Sequence, residues 1–112
     1  MNWKQLVRLG LALPEVAEGI WYRTPSLEVR GTSFVRLKED GKDVVFLTET
    51  IEEQEVLCEA RPAIYHITDH YRGSAAVLAR LGKLTASEAR VRLERAWRTR
   101  APKRLLKTFD AR

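Results

Sequence analysis

Two short runs of alternating side chains, Ile64–Ile67 and Ala76–Leu81, constrain this chain more than any other feature. In the first, Ile64 and His66 alternate with Tyr65 and Ile67. In the second, Val77, Ala79 and Leu81 alternate with Ala76, Leu78 and Arg80. A repeat of two sends successive side chains to opposite faces, so each run predicts a half-buried strand with one face toward a core. Between them, Thr68-Asp69-His70-Tyr71-Arg72-Gly73 gathers a charged pair, an imidazole, a phenol and a glycine. The stretch reads as a β-hairpin with a chemically rich tip.

The rest of the chain supplies partners for that hairpin. Trp3–Leu13 reads as a helix with Trp3, Leu6, Val7 and Leu13 on one face, closed by Pro14, which disfavours helical geometry at the residue before it. Residues 15–19 read as a polar connection, and 20–25 as an extended segment leading into the sheet with Pro25 at its margin. Leu27–Arg30 and Ser33–Lys38 alternate about a turn at Gly31-Thr32. Asp40-Gly41 then offers the positive φ of a tight turn before the strand Asp43–Thr48. Thr50-Ile51-Glu52-Glu53 and Thr85-Ala86-Ser87-Glu88 have the pattern of capping boxes. The first opens a helix to about Ala60 with Ile51, Gln54, Leu57 and Cys58 inward. The second opens one to about Thr99 with Ala89, Leu93, Ala96 and Trp97 inward and Arg90, Arg92, Arg95 and Arg98 elsewhere. Helices on one face of an antiparallel sheet make an α+β fold.

At 112 residues the chain has the length of one domain, residues 1–112, with residues 101–112 a basic tail that docks or frays. Cys58 is the only cysteine, which excludes an internal disulfide and points to a cytoplasmic protein. No apolar run is long enough for a membrane span, so no membrane partner is expected. The net charge of +5 is unevenly spread. Residues 90–112 hold nine basic and two acidic side chains, a net +7, whereas residues 1–89 hold eleven and thirteen, a net −2. Such asymmetry fits either a polyanionic partner or a well-solvated terminal helix.

Several motifs match a known family in order and spacing. They are Leu13-Pro14-Glu15-Val16, Thr24-Pro25-Ser26-Leu27 through Gly31, Phe34, His70-Tyr71-Arg72-Gly73, Val77-Leu78 with Arg80-Leu81, and Trp97 followed by Ala101-Pro102-Lys103. Together the chain resembles the MmcQ/YjbR-like small proteins over essentially its whole length. The resemblance implies a frataxin-like (CyaY-like) fold and a DNA-binding protein with a double-wing motif, a sheet flanked by hairpin loops. One departure stands out: Ser74-Ala75 follow Gly73 where relatives carry a bulkier ring and a proline. Frataxin-like iron binding does not carry over, because the first helix presents Lys4, Gln5 and Arg8 rather than acids.

Nucleic-acid binding needs cations for phosphates and planar groups for bases. The candidates are Lys38 and Lys42 at the Asp-Gly turn, His70, Tyr71 and Arg72 in the loop, and Arg98, Lys103 and Arg104 near the C-terminus. The Asp-Gly turn also carries Glu39, Asp40 and Asp43, so any contact is expected to be weak and backbone-dominated. An alternative is a small-ligand site formed by Trp21, Tyr22, Asp69, His70 and Arg72. A third is a protein partner at the acidic 49–59 helix or an exposed sheet edge. Adjacent residues do not normally converge on one centre, and no nucleophile or phosphate-loop motif accompanies them. The His66–His70 spacing suits a metal only on a helix. The expectation is therefore a non-enzymatic protein with no catalytic residues, no metal and no cofactor.

Overall fold

The computed structural model describes residues 1–112 as four α-helices and one six-stranded antiparallel sheet. The chain runs α1 (Trp3–Gly10), β1 (Val16–Trp21), β2 (Thr24–Val29), β3 (Thr32–Leu37), β4 (Asp43–Leu47), α2 (Ile51–Ala60), β5 (Tyr65–His66), β6 (Ala76–Arg80), α3 (Ala86–Arg100) and α4 (Lys103–Asp110). In space the strands lie β1-β2-β3-β4-β6-β5, so β6 returns inside β5 and pairs with β4 from Asp43↔Arg80 to Leu47↔Ala76. The Ile64–Leu81 stretch is thus a hairpin, with Tyr65↔Ala79 and His66↔Leu78 in register.

The helices pack on one face. Leu6 and Val7 of α1, Ala89, Leu93, Ala96 and Trp97 of α3, and Leu105 of α4 share one buried cluster with Leu27, Val29, Val35, Val44, Phe46, Val77 and Ala79 of the sheet. Trp97 is fully buried, donates its indole N–H to the carbonyl of Pro14 at 3.1 Å, and lies 4.9 Å from the ring of Phe109. Residues 103–110 of the basic tail are therefore helical and docked through Leu105 and Phe109. Gly10 ends α1 against the sheet, where a Cβ would stand 2.3 Å from a methyl of Leu27. Close approach is what that glycine provides.

Several expectations are corrected. Residues 16–19 form most of β1 rather than a connection, and 20–25 is no single extended segment: β1 and β2 meet in a hairpin at Tyr22-Arg23. Strand β6 is buried on both faces, because Ala76 and Leu78 join Val45 in a second apolar cluster under Tyr71. Ile51 turns outward. Arg92 is buried and reaches across to Glu53 of α2 at 3.5 Å, and Arg95 joins Glu53 and Glu49. Of the four α2 acids only Glu53 is used there; Glu52, Glu55 and Glu59 stay exposed. No helix is long and apolar enough to cross a membrane.

Candidate functional site

The face of the sheet away from the helices carries polar side chains at its centre. Ser26 and Ser33 are buried there and share a hydrogen bond of 3.0 Å. Beside them Arg36 is only 6% exposed. Its guanidinium donates to Thr24 Oγ1 at 3.3 Å, to Glu39 at 3.2 Å and to the Tyr71 hydroxyl at 2.9 Å, and lies 5.2 Å from the centre of the Tyr22 ring. A buried cation is tolerable only when its donors are used. Here those donors join three segments: the β1–β2 turn, the β3–β4 turn and the loop before β6. The Glu39 carboxyl, held by its backbone and then by Arg36, stays below the usual carboxylate range.

The loop is fixed from the other side by α2. Gln54, 2% exposed, directs its amide nitrogen at the carbonyls of Tyr71 (2.9 Å), Ser74 (2.9 Å) and Ala76 (2.6 Å). Thr48 N–H adds a bond to Ala75 O at 2.9 Å. A short 3₁₀ turn at Asp69–Tyr71 sets the His70 and Tyr71 rings edge to face at 4.8 Å.

Opposite that loop stands the β1–β2 hairpin. Its two turn residues, Tyr22 (φ 51°) and Arg23 (φ 66°), both lie in the left-handed region, as a two-residue turn of this hand requires. Neither is glycine or asparagine, so each costs on the order of 1 kcal/mol. The turn sets Trp21 and Tyr22 side by side at 5.2 Å. Between hairpin and loop is a cavity of about 380 Å³. Trp21 and Tyr22 form one wall, while His70, Tyr71, Ser74 and Ala75 form the other. Arg36, Val45, Leu47 and Ala76 complete the floor, and Arg100 from the end of α3 completes the lining. No carboxylate lines the cavity, and Arg100 makes no ion pair.

Over residues 11–99 the sequence matches the family model described as YjbR. The chain belongs to the YjbR family. No curated protein matches it.

In this YjbR-family chain, the residues singled out from sequence divide sharply. Trp21, Tyr22, His70 and Tyr71 come together at the cavity. Asp69 and Arg72 pair with each other at 2.9 Å in solvent and do not line it. Arg98 lies on the helix side, bonded to Asp110 and Glu94 with its guanidinium 5.4 Å from the Phe109 ring. Lys42 borders a separate cleft with Asp40, Asp43 and Arg80. Lys38 precedes the same turn, whereas Lys103 and Arg104 sit exposed in the first turn of α4. His66 bonds Asp43 at 2.9 Å, and no group of three or more His, Cys, Asp or Glu side chains gathers as a metal site. Arg36 and Arg100 were not legible as site residues. Arg36 sits in an alternating strand like any solvent-facing cation, and Arg100 lies one residue past the end expected for α3.

Proposed function

We propose that this chain is a non-catalytic nucleic-acid-binding protein that holds a polynucleotide weakly against the open face of its sheet. The observation that carries the reading is the meeting of Trp21 and Tyr22 with the unpaired Arg100 around a cavity lined by no carboxylate. Aromatic faces stack on bases of any sequence, and a free guanidinium matches a phosphate. The surplus charge of residues 90–112 contributes long-range attraction. The frataxin-like architecture belongs to the same reading, supported by helices gathered on one face of an antiparallel sheet.

The test is a fluorescence anisotropy titration with labelled single-stranded and duplex oligonucleotides at about 50 mM and about 200 mM salt. Salt-sensitive association that weakens on Arg100→Glu is the expected result. Absence of association with every strand at the lower salt would overturn the proposal. A second reading, a small-molecule site, is favoured by one observation: the cavity, about 380 Å³, falls in the range of small-ligand pockets.

A further inference from the structure

The two readings converge on one piece of chemistry. We propose that the cavity between the β1–β2 turn and the His70-Tyr71 loop is a single-nucleotide subsite. It takes one unpaired base against the Tyr22 ring and binds the attached phosphate at Arg100. This rests on the nucleic-acid reading above and goes beyond it, because it requires single-stranded nucleic acid or free nucleotide rather than duplex.

The division of labour between the two arginines supports the assignment. Arg36 is buried, paired with Glu39 and already donating to Thr24 and Tyr71, so its work is to hold both walls at a fixed spacing. Arg100 is exposed and has no carboxylate partner, which leaves its planar fork available for a phosphate. Tyr22 is 68% exposed even with Arg36 and Trp21 each 5.2 Å from its ring, so much of its surface stays open to a planar ligand. Tyr22, one of the two turn residues at positive φ, lines the cavity, and such outliers cluster at ligand sites. Ser74 offers a hydroxyl at the opposite wall, and Ala75 beside it is small enough to leave the cavity open. A stacked base pair presents only its edges, and extruding a base from duplex costs a few kcal/mol, whereas a single strand offers its bases freely.

The experiment compares three ligands on the intact chain: a labelled single strand of about ten nucleotides, the matching duplex, and mononucleotides as competitors. Binding is read by anisotropy, with Arg100→Ala, Tyr22→Ala and Ala75→Phe as variants and thermal melts confirming that each is folded. The expected result is single strand over duplex by about tenfold or more, with mononucleotide competing at higher concentration. Tyr22→Ala and the cavity-filling Ala75→Phe should each weaken the strand by about tenfold or more. Arg100→Ala should also lower the salt slope by about 0.7, one phosphate on a single strand. Duplex bound as tightly as single strand, indifferent to Ala75→Phe, would overturn the subsite and leave nucleic-acid binding standing. Mononucleotide bound without any strand would keep the subsite and overturn the polynucleotide reading. No binding by any of the three would overturn both.

Discussion

Replacing Gln54 by leucine is expected to release the loop that forms one wall of the cavity. The Gln54 amide has two protons facing three carbonyls, those of Tyr71, Ser74 and Ala76, so Gln54→Leu removes two hydrogen bonds shared among three acceptors. At about 1 kcal/mol net each, that is about 2 kcal/mol. The Ala76 carbonyl lies in a buried stretch, and leaving it unsatisfied adds about 1–3 kcal/mol. Leucine returns about 1 kcal/mol through its apolar surface. The net loss is about 2–4 kcal/mol, and with an m value of about 1.5 kcal/mol/M the urea midpoint should fall by about 1.3–2.7 M. Amide hydrogen exchange should report faster opening of residues 71–76, with α3 following only the global change. Gln54→Glu is the decisive companion, because a carboxylate facing three carbonyl oxygens should cost more than leucine does. A midpoint shift under about 0.3 M for leucine, or a glutamate variant more stable than the leucine one, would refute the assignment of Gln54 as the clamp.

Other expected outcomes test neighbouring parts of the structure. Arg23→Gly should raise stability by about 1 kcal/mol in urea unfolding, since glycine relieves the φ of 66° at an exposed position; no gain would mean that the turn is unstrained. Tyr71→Phe should cost about 1.5–3 kcal/mol, because its hydroxyl takes a hydrogen bond from the Arg36 cation. The loss should shrink in an Arg36→Met background, and simple additivity would count against the contact. Gly10→Ala should destabilise by about 1–2 kcal/mol despite its better helix propensity, because the new methyl meets Leu27; a stabilised variant would show that Leu27 yields freely. Asp110 is held below its ordinary range by Arg98, so its stabilising effect is present above the unfolded carboxyl pKa and is lost as pH falls through the depressed folded value. Melting temperature against pH should therefore decline below about pH 4, and less steeply in Asp110→Asn; an identical acid slope would contradict the pairing.

What could be read from the sequence was local, and what could not depended on long-range partners. The helix starts at Thr50 and Thr85 were legible because each hydroxyl caps an N–H three residues on, at 3.0 and 3.2 Å. Their glutamates were less so: Glu53 accepts from Glu49 N–H, and Glu88 from the Tyr65 hydroxyl. A reciprocal capping box stands instead at Asn2 and Gln5, a pair the residue pattern did not bring out. The Asp40-Gly41 turn was legible from its chemistry, with the Asp40 carboxylate accepting from two following N–H groups. The Tyr22-Arg23 turn was not, because those residues are normally unfavourable there. The same gap hid the site. Trp21, Tyr22 and His70 were marked, with Asp69 and Arg72, as a ligand-binding set and Tyr71 as a nucleic-acid contact, but Arg36 and Arg100 complete the site only through the strand register and the length of α3.

The most direct measurement of the central claim is a nitrogen–proton correlation spectrum recorded while a short single strand is added. The Trp21 indole N–H, the Ser74 and Ala75 amides and the Arg100 side chain should shift together with one affinity. The buried Trp97 indole, bonded to Pro14, should stay still. Shifts confined to Lys103, Arg104 and Lys107 on α4, with the Trp21 indole unmoved, would contradict the claim and transfer binding to the basic tail.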